Sequence, residues 1–498
     1  MSAQLSPAPP VPLRLPPARW VVLWVACFCA GAWLAPGFNS FESPDPNVAQ
    51  QMATAGRLTF DAPPPDFPYY LGRGGRYYAH HELGPDLLAA PFALVALQVS
   101  RRSGIPFRRS FGFVMSLVAP AFFATTIVLL AALGALLGVP PYQATALLVV
   151  LCLGSQYAVY AGSPPDVSMA SPLMAGCLLA WARAERGMRS GWLAAGVLAG
   201  LLPAFKLSNA PVIPVLLLLA ATAQPSRPGD RWRRVAWTLV GLVPGLALVV
   251  AWNVARTGSA LDATYGHELF AYHPGSLLAG LAGSLVSPGK GLLAYTPVLV
   301  LLAPALGTKG TCRAHPRLAF FVLASLALTM VRLAGTPEWS GAGGWGIRYY
   351  VPWLPPLLLL VAAELWRLRG ERGPWKAVAA VTLAAGAVVN LSAAATGYHY
   401  REQLCGYEAW SLRGANACAV AALPANLART AGLAVPEVVA PGASRADVFA
   451  SNRLALWWYA IRFVGVRPSV SWTIGGALLL LGAACWRLAR GRPQEAAP

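Results

Sequence analysis

Charge is what this chain has least of. Lys, Arg, Asp and Glu together make 11% of its 498 residues, against roughly 25% in soluble domains. A soluble protein of this length has too much surface for so few charges, and 56% hydrophobic residues exclude a disordered chain. Acids are scarcer than bases: 19 Asp and Glu stand against 38 Lys and Arg, a formal charge of +19. In a soluble chain that excess would suggest nucleic acid. No helix-turn-helix, zinc-finger or RNA-binding signature accompanies it, so no nucleic-acid partner is expected. Basic loops on an anionic membrane face account for it better. The sequence also has no Gly-rich loop ending in Lys-Ser/Thr, no GxSxG and no HExxH, which argues against ATP as the energy source. Cys27, Cys29, Cys152, Cys177 and Cys485 lie in apolar runs, where cysteine acts as a small hydrophobe. Cys312 sits in a basic loop. Cys405 and Cys418 share a long polar segment, where a disulfide is expected if that segment is extracytoplasmic.

What the chain has instead is a series of long apolar runs. A helix crosses a bilayer with about 20 apolar residues, and spans are read at 20–36, 111–134, 143–161, 167–183, 191–205, 208–223, 235–255, 292–306, 318–335, 349–366, 377–396 and 470–488. The segment 83–100 carries Pro85, Asp86 and Pro91 and is read as helices at the outer membrane surface. With it left out, about twelve transmembrane helices remain and both termini are cytoplasmic. The short basic loops around 183–189, 227–234, 309–317, 367–376 and 487–492 then share one side. With Arg14 and Arg19 they hold half of the 38 lysines and arginines, as the positive-inside rule requires. Most acids and histidines fall on the opposite face, with Arg101, Arg102, Arg108 and Arg109 left beside them. The organisation expected is a disordered cytoplasmic tail at 1–19 and a transmembrane domain at 20–396 with a long first outer loop at 37–110. An irregular extracytoplasmic loop follows at 397–469, then the last span and a cytoplasmic tail at 470–498. Loops this long in a compact protein are usually functional.

The candidate chemistry lies at the outer face. In FNSFESPDPNVAQQMATAGRL, Glu42 and Asp45 are three apart, and 47–57 can form a short helix with Asp45 at its start. SPPDVSMASPLMAG puts Asp166 at the mouth of a span. An N-cap is the competing role for each acid. Lys206, in LLPAFKLSNAPVIP, occupies a tight turn between apolar helices, where it must snorkel or meet an anion, a lipid phosphate being one. Arg348 follows a Gly- and Trp-rich loop in EWSGAGGWGIRYYVPWLPPL and suits a phosphate. GRYYAHHELGPDLL offers His80, His81 and Glu82. Adjacent histidines point apart, which favours substrate hydrogen bonding or support of the acidic loop over a metal site.

In this order the pieces resemble the GT-C superfamily of membrane glycosyltransferases, which includes protein O-mannosyltransferases and lipid A aminoarabinose transferases. Such proteins begin with one span and a long outer loop with an early acid, here in SPDPN. Their surface-helix segment of the His-Pro-Pro or Lys-Pro-Pro type corresponds to HHELGPDLLAAP, with LGP in place of Pro-Pro. Their second acid resembles Asp166, here in SPPD without a preceding Ser-Arg. Their Gly-Leu-Ala…Lys hairpin resembles GLLPAFKLSNAP, and their Arg-Tyr-x-x-Pro-x-x-Pro element resembles RYYVPWLPP. GSLVSPGKGLLAYTPVLVLL is similar to a stretch of bacterial members. The resemblance runs over residues 20–400.

It implies an all-α polytopic membrane protein of the bacterial inner membrane with its active site facing the periplasm. The implied donor is a polyprenyl-phosphate-sugar, and the acceptor a lipid, a glycan or a protein. Asp45 would be the general base of an inverting transfer, with Asp166 orienting the acceptor or assisting. Lys206 and Arg348 would neutralise the leaving phosphate. Glu42, Arg76, His81 and Glu82 complete the implied substrate site, Arg76 toward lipid headgroups. No cofactor is required, and a divalent metal is optional. The alternatives are a secondary transporter, a lipid-linked polysaccharide polymerase or ligase, and a non-catalytic scaffold.

Overall fold

Apolar segments with no water to bond must satisfy their N–H and C=O groups internally, so helices dominate. The computed structural model describes residues 16–35, 44–64, 69–162, 166–223, 229–261, 273–336, 339–340, 345–371, 373–396, 415–438, 448, 452–464 and 466–490. The first part of the chain gives α1 (Pro17–Leu34), α2 (Pro46–Ala55), α3 (Leu83–Ser103), α4 (Phe107–Leu136) and α5 (Pro141–Leu153). Then come α6 (Asp166–Glu185), α7 (Ser190–Phe205), α8 (Val212–Thr222), α9 (Asp230–Thr257) and α10 (Leu277–Val286). The last are α11 (Pro316–Ala334), α12 (Leu354–Arg367), α13 (Trp375–Thr396), α14 (Ala415–Thr430) and α15 (Pro468–Arg490). Proline opens α1, α2, α5, α11 and α15, where its missing N–H leaves no bond unmade.

Nine helices among the described residues are long and apolar enough to cross a membrane, and five shorter apolar helices accompany them. The chain is an all-α polytopic membrane protein, although this tally does not reproduce a count of twelve. Three expected spans are broken. Residues 143–161 split at Gly154 into α5 and a short helical turn, Tyr157–Tyr160. Residues 292–306 form Leu292–Tyr295, a 3-10 stretch Pro297–Leu301 and Leu302–Leu306, because Pro297 and Pro304 interrupt a regular helix. Residues 349–366 begin as a 3-10 turn, Arg348–Trp353, where Pro352 sits before α12. The segment read as surface helices is one continuous 21-residue helix, α3, long and apolar enough to cross a membrane by itself.

The core lies around α12, buried from Leu354 through Glu364, with α4, α5 and α6 against it. Helices α7 and α9 cross backbone to backbone, and both carry Gly-x-x-x-Gly: Gly196 and Gly200 on α7, Gly241 and Gly245 on α9. A Cβ on Gly245 would stand 2.1 Å from the carbonyl carbon of Gly200. Helix α1 packs on α4 and α15. The Trp457 N–H donates to the Ala35 carbonyl at 2.7 Å and the Trp458 indole to that of Trp33 at 3.0 Å, so the C-terminal segment closes over the end of α1.

The first loop folds as α2 and a three-stranded antiparallel sheet in the order β1 (Thr59–Phe60), β3 (Tyr77–Ala79), β2 (Tyr69–Leu71). Thr59 pairs with Tyr78, and Tyr70 with the same residue from the other side. Within 397–469, expected to be irregular, Ala415–Thr430 forms α14: ANACAVAALPANLART is rich in alanine, the strongest helix former. Cys418, on α14, is disulfide-bonded, while Cys405 lies outside the described residues.

Candidate functional site

The acidic loop after α1 is pinned by its own chain. Asp45 is the N-cap of α2: its Oδ1 accepts the Asn47 N–H at 2.8 Å. Its Oδ2 accepts the Tyr69 hydroxyl at 2.7 Å, and the Asn47 side-chain amide donates to the same hydroxyl at 3.0 Å. The Asp45 backbone N–H donates to Asp86 Oδ1 at 2.8 Å, which ties the loop to the first turn of α3. The cap seen as a competing role is therefore real, and it leaves the carboxylate held in one orientation.

Glu82 precedes Asp86 by four residues, one helical turn, so both carboxylates share one edge of α3's start. Glu82 reaches the α7–α8 turn. Its Oε1 accepts the Leu207 N–H at 2.9 Å and its Oε2 lies 3.7 Å from Lys206 Nζ. Lys206 Nζ is 2.7 Å from Asp166 Oδ2, and Asp166 Oδ1 accepts the N–H of Val167 at 2.9 Å. Gly84 permits the approach of α3 to α7, since a Cβ there would sit 2.6 Å from the Ala204 carbonyl oxygen. On the far side of the turn, Arg332 donates to the Leu207 carbonyl at 2.7 Å. A continuous path thus runs from Asp45 through Asp86 and Glu82 to Lys206 and Asp166. Lys206 meets an anion as expected, but the anion is the protein's own pair of carboxylates.

These groups are out of water: Asp45 and Asp86 are each 1% exposed, Asp166 4% and Lys206 7%. Removing one member of such a buried pair leaves an uncompensated charge and costs about 3–5 kcal/mol. Arg348 is half-buried. Its guanidinium lies 5.5 Å from the centre of the Tyr349 ring, and Lys206 Nζ lies 5.9 Å from the same ring, so one aromatic stands by both cations. Arg256, on α9, gathers the carbonyls of Ala79, His80 and His81 at 3.1–3.2 Å and thereby fixes the strand that leads into Glu82.

Burial lifts the Asp45 carboxyl above its ordinary range. The Tyr69 hydroxyl, the N–H groups of Asn47 and Val48, and the charge of Arg108 pull the other way without cancelling it. Burial and then Asp45 raise the Tyr69 hydroxyl. Burial, reinforced by Lys206, Arg256 and Arg348, pushes His80 down to about 4, and burial with Lys206 foremost among the charges holds His81 well below the usual imidazole range. Both imidazoles are neutral at physiological pH.

Of the residues singled out in the sequence, Asp45, Asp166, Glu82, His81, Lys206 and Arg348 come together. Arg76 stands exposed where β3 begins, and Glu42 lies outside the described residues. Asp86, Tyr69, Arg256, Arg332 and Asn209 were not foreseen. Asp86 had a signal, its spacing of four from Glu82; the others are set by long-range packing. Asn209 is fully buried beside Lys206, and among the described residues neither amide atom has a hydrogen-bond partner; Asp86 Oδ2 is in the same state. Among the described residues no three His, Cys, Asp or Glu side chains group to hold a metal. Asp166 and Glu82 face an ammonium instead, and no step below uses a metal.

No family model and no curated protein matches the chain. Among solved structures, ArnT from Cupriavidus metallidurans in the apo state is similar at 16% identity, with a TM-score of 0.46 over 94% of this chain and 77% of that one. ArnT from the same organism bound to undecaprenyl phosphate is similar at 15% identity, with a TM-score of 0.46 over 95% of this chain and 79% of that one. At these values the likeness is one of chain course and assigns no family.

Proposed function

We propose that this chain transfers a sugar from a polyprenyl-phosphate donor to an acceptor hydroxyl or amine at the outer face of the bacterial inner membrane. The observation that carries this is the joining of the acidic loop to the Asp166–Lys206 pair through Asp86 and Glu82. A scaffold that used its acids only as caps would have no reason to bring Asp45 and Asp166 onto one charged path. A transporter places coupling groups near the midplane, whereas Asp166 opens α6 and Lys206 ends α7.

Asp45 is the base. It takes the proton of the attacking hydroxyl or amine as the new bond forms at the anomeric carbon and the sugar–phosphate bond breaks with inversion. Tyr69 holds the carboxylate in place, and its raised affinity for a proton suits it to that task. The departing lipid phosphate carries its negative charge to Arg348, with Lys206 behind it; fixed cations out of water act strongly on such a group. Asp166 and Glu82 keep the Lys206 ammonium in position. Asn209 and Asp86 Oδ2 retain unused hydrogen-bonding capacity, as a site for hydroxyl-rich ligands needs.

The test is transfer of label from radiolabelled polyprenyl-phosphate-sugars in membranes containing the protein. Label is expected to move to an endogenous lipid, glycan or protein acceptor. A panel of donors that yields no transfer, while a labelled sugar or lipid moves across the same membranes, would replace the transferase with a transporter.

A further inference from the structure

At the opposite end of α6 from Asp166 lies a second charged site of different character. A cavity of about 730 Å³ opens there, lined by Arg186, Arg189, Arg233, Arg234 and Arg317 with two carboxylates, Glu185 and Asp230. Arg317 and Glu185 cancel: their atoms pair at 2.8 and 3.1 Å, and Arg317 also donates to the carbonyls of Leu219 and Thr222. Arg317 is thus a fixed post of the wall. Four arginines then face one remaining carboxylate. Arg186 is oriented by donating to the Leu136 carbonyl at 2.7 Å.

The cavity does not stand alone. A groove of about 260 Å³ adjoins it and shares Glu185, Arg186 and Arg317 with it. Apart from His315, its remaining wall is apolar, formed by residues such as Leu133, Leu137, Trp181 and Leu318. A basic basin continuous with an apolar channel is complementary to an amphiphile with a phosphate head. A free phosphate would make no use of the channel.

We propose that this end of the bundle binds an anionic phospholipid, its phosphate among Arg186, Arg189, Arg233 and Arg234 and one acyl chain along the Leu133–Trp181 groove. The site is separate from the acidic cluster, because α6 is 20 residues long and a helix rises 1.5 Å per residue, about 30 Å in all. Facing the other membrane surface, it would seat a lipid of the leaflet opposite to the proposed chemistry.

The full-length protein in neutral detergent is titrated with dioleoyl-phosphatidylglycerol, dioleoyl-phosphatidylcholine and glycerol 3-phosphate, and bound species are counted by native mass spectrometry. Phosphatidylglycerol is expected to be retained about tenfold over phosphatidylcholine. The double variant Arg189→Gln/Arg233→Gln is expected to reduce that retention by about tenfold or more, since each basic residue near an anionic headgroup contributes about 1 kcal/mol. Both residues are exposed, so the change leaves packing intact. Ala182→Trp, which fills the groove, is expected to lower phosphatidylglycerol binding and leave glycerol 3-phosphate binding unchanged. Equal retention of the two lipids, or an unaffected double variant, overturns the site. Glycerol 3-phosphate binding as tightly as the lipid, with no effect of Ala182→Trp, overturns the lipid in favour of a free phosphate.

Discussion

The two ends of α6 handle charge in opposite ways. At Asp166 the charges are few and buried, with Lys206 held at 2.7 Å. At Glu185 they are many, mostly exposed and mostly of one sign, and the Arg317–Glu185 pair keeps side-chain exposures of 35% and 20%. The buried end fixes geometry, because each group there is stable only with its partner in place. The exposed end creates a field, in which single pairs contribute little and the sum attracts an anion. One helix therefore supports a rigid site at one end and an adaptable one at the other.

That contrast breaks most sharply at Lys206. Lys206→Met strands Asp166 and Glu82 and is expected to destabilise the protein by about 3–5 kcal/mol, read as lost thermal stability in detergent. Lys206→Met/Asp166→Leu, which leaves only Glu82 without its cation, should recover part of the stability and none of the transfer, which separates packing from function. The next effect lies between the two ends, at the α7–α9 crossing. Gly245→Val forces apart backbones that now touch, at a cost of about 1–3 kcal/mol by overpacking, also visible as lower thermal stability. Gly476→Ala, where nothing lies near a Cβ, serves as its silent control. The smallest effect is expected at the exposed end. Arg317→Gln should cost about 1 kcal/mol, and raised salt should remove part of that, because the pair is partly exposed.

A pH–rate profile sharpens the same comparison by chemistry. The Asp45 carboxyl is raised by burial, so its ionised form is present above that raised value and lost as pH falls through it. Transfer should drop about tenfold per unit of pH on the acid side, beginning above the range of a free carboxylate. His80, held down at about 4, and His81, lower than usual, remain neutral through pH 5–8 and add no break near 6.5. An acid-side break that persists in Asp45→Asn would assign the base to another group.

Much of this was legible in the residues. Low charge and periodic apolar runs mark the helices, and Pro-rich joints mark where they start. Asp45 heading a short helix is visible in SPDPN, where a carboxylate precedes proline at the first helical position. The breaks at 154 and 296 were not legible, because hydropathy counts residues and not the turns that Gly154 and Pro297 impose. The likeness of GVLAG in α7 to GLVPG in α9 is plain only once the two helices are seen to cross. In the site, short-range partners such as Asn47 could be read locally. Tyr69, Arg256 and Arg332 could not, since their contacts depend on how a three-stranded sheet and two distant helices meet the first loop.

The most direct measurement is the initial rate of sugar transfer by Asp45→Asn beside wild type, at equal membrane abundance and saturating donor. Asparagine keeps the volume and the cap at the start of α2 but cannot take a proton. The account predicts a fall of about 10²–10⁴-fold in protein that is still folded at the assay temperature, the Tyr69 hydroxyl losing its acceptor at a modest cost in thermal stability. Transfer by Asp45→Asn at the wild-type rate would contradict it and leave Asp45 as the cap of α2 alone.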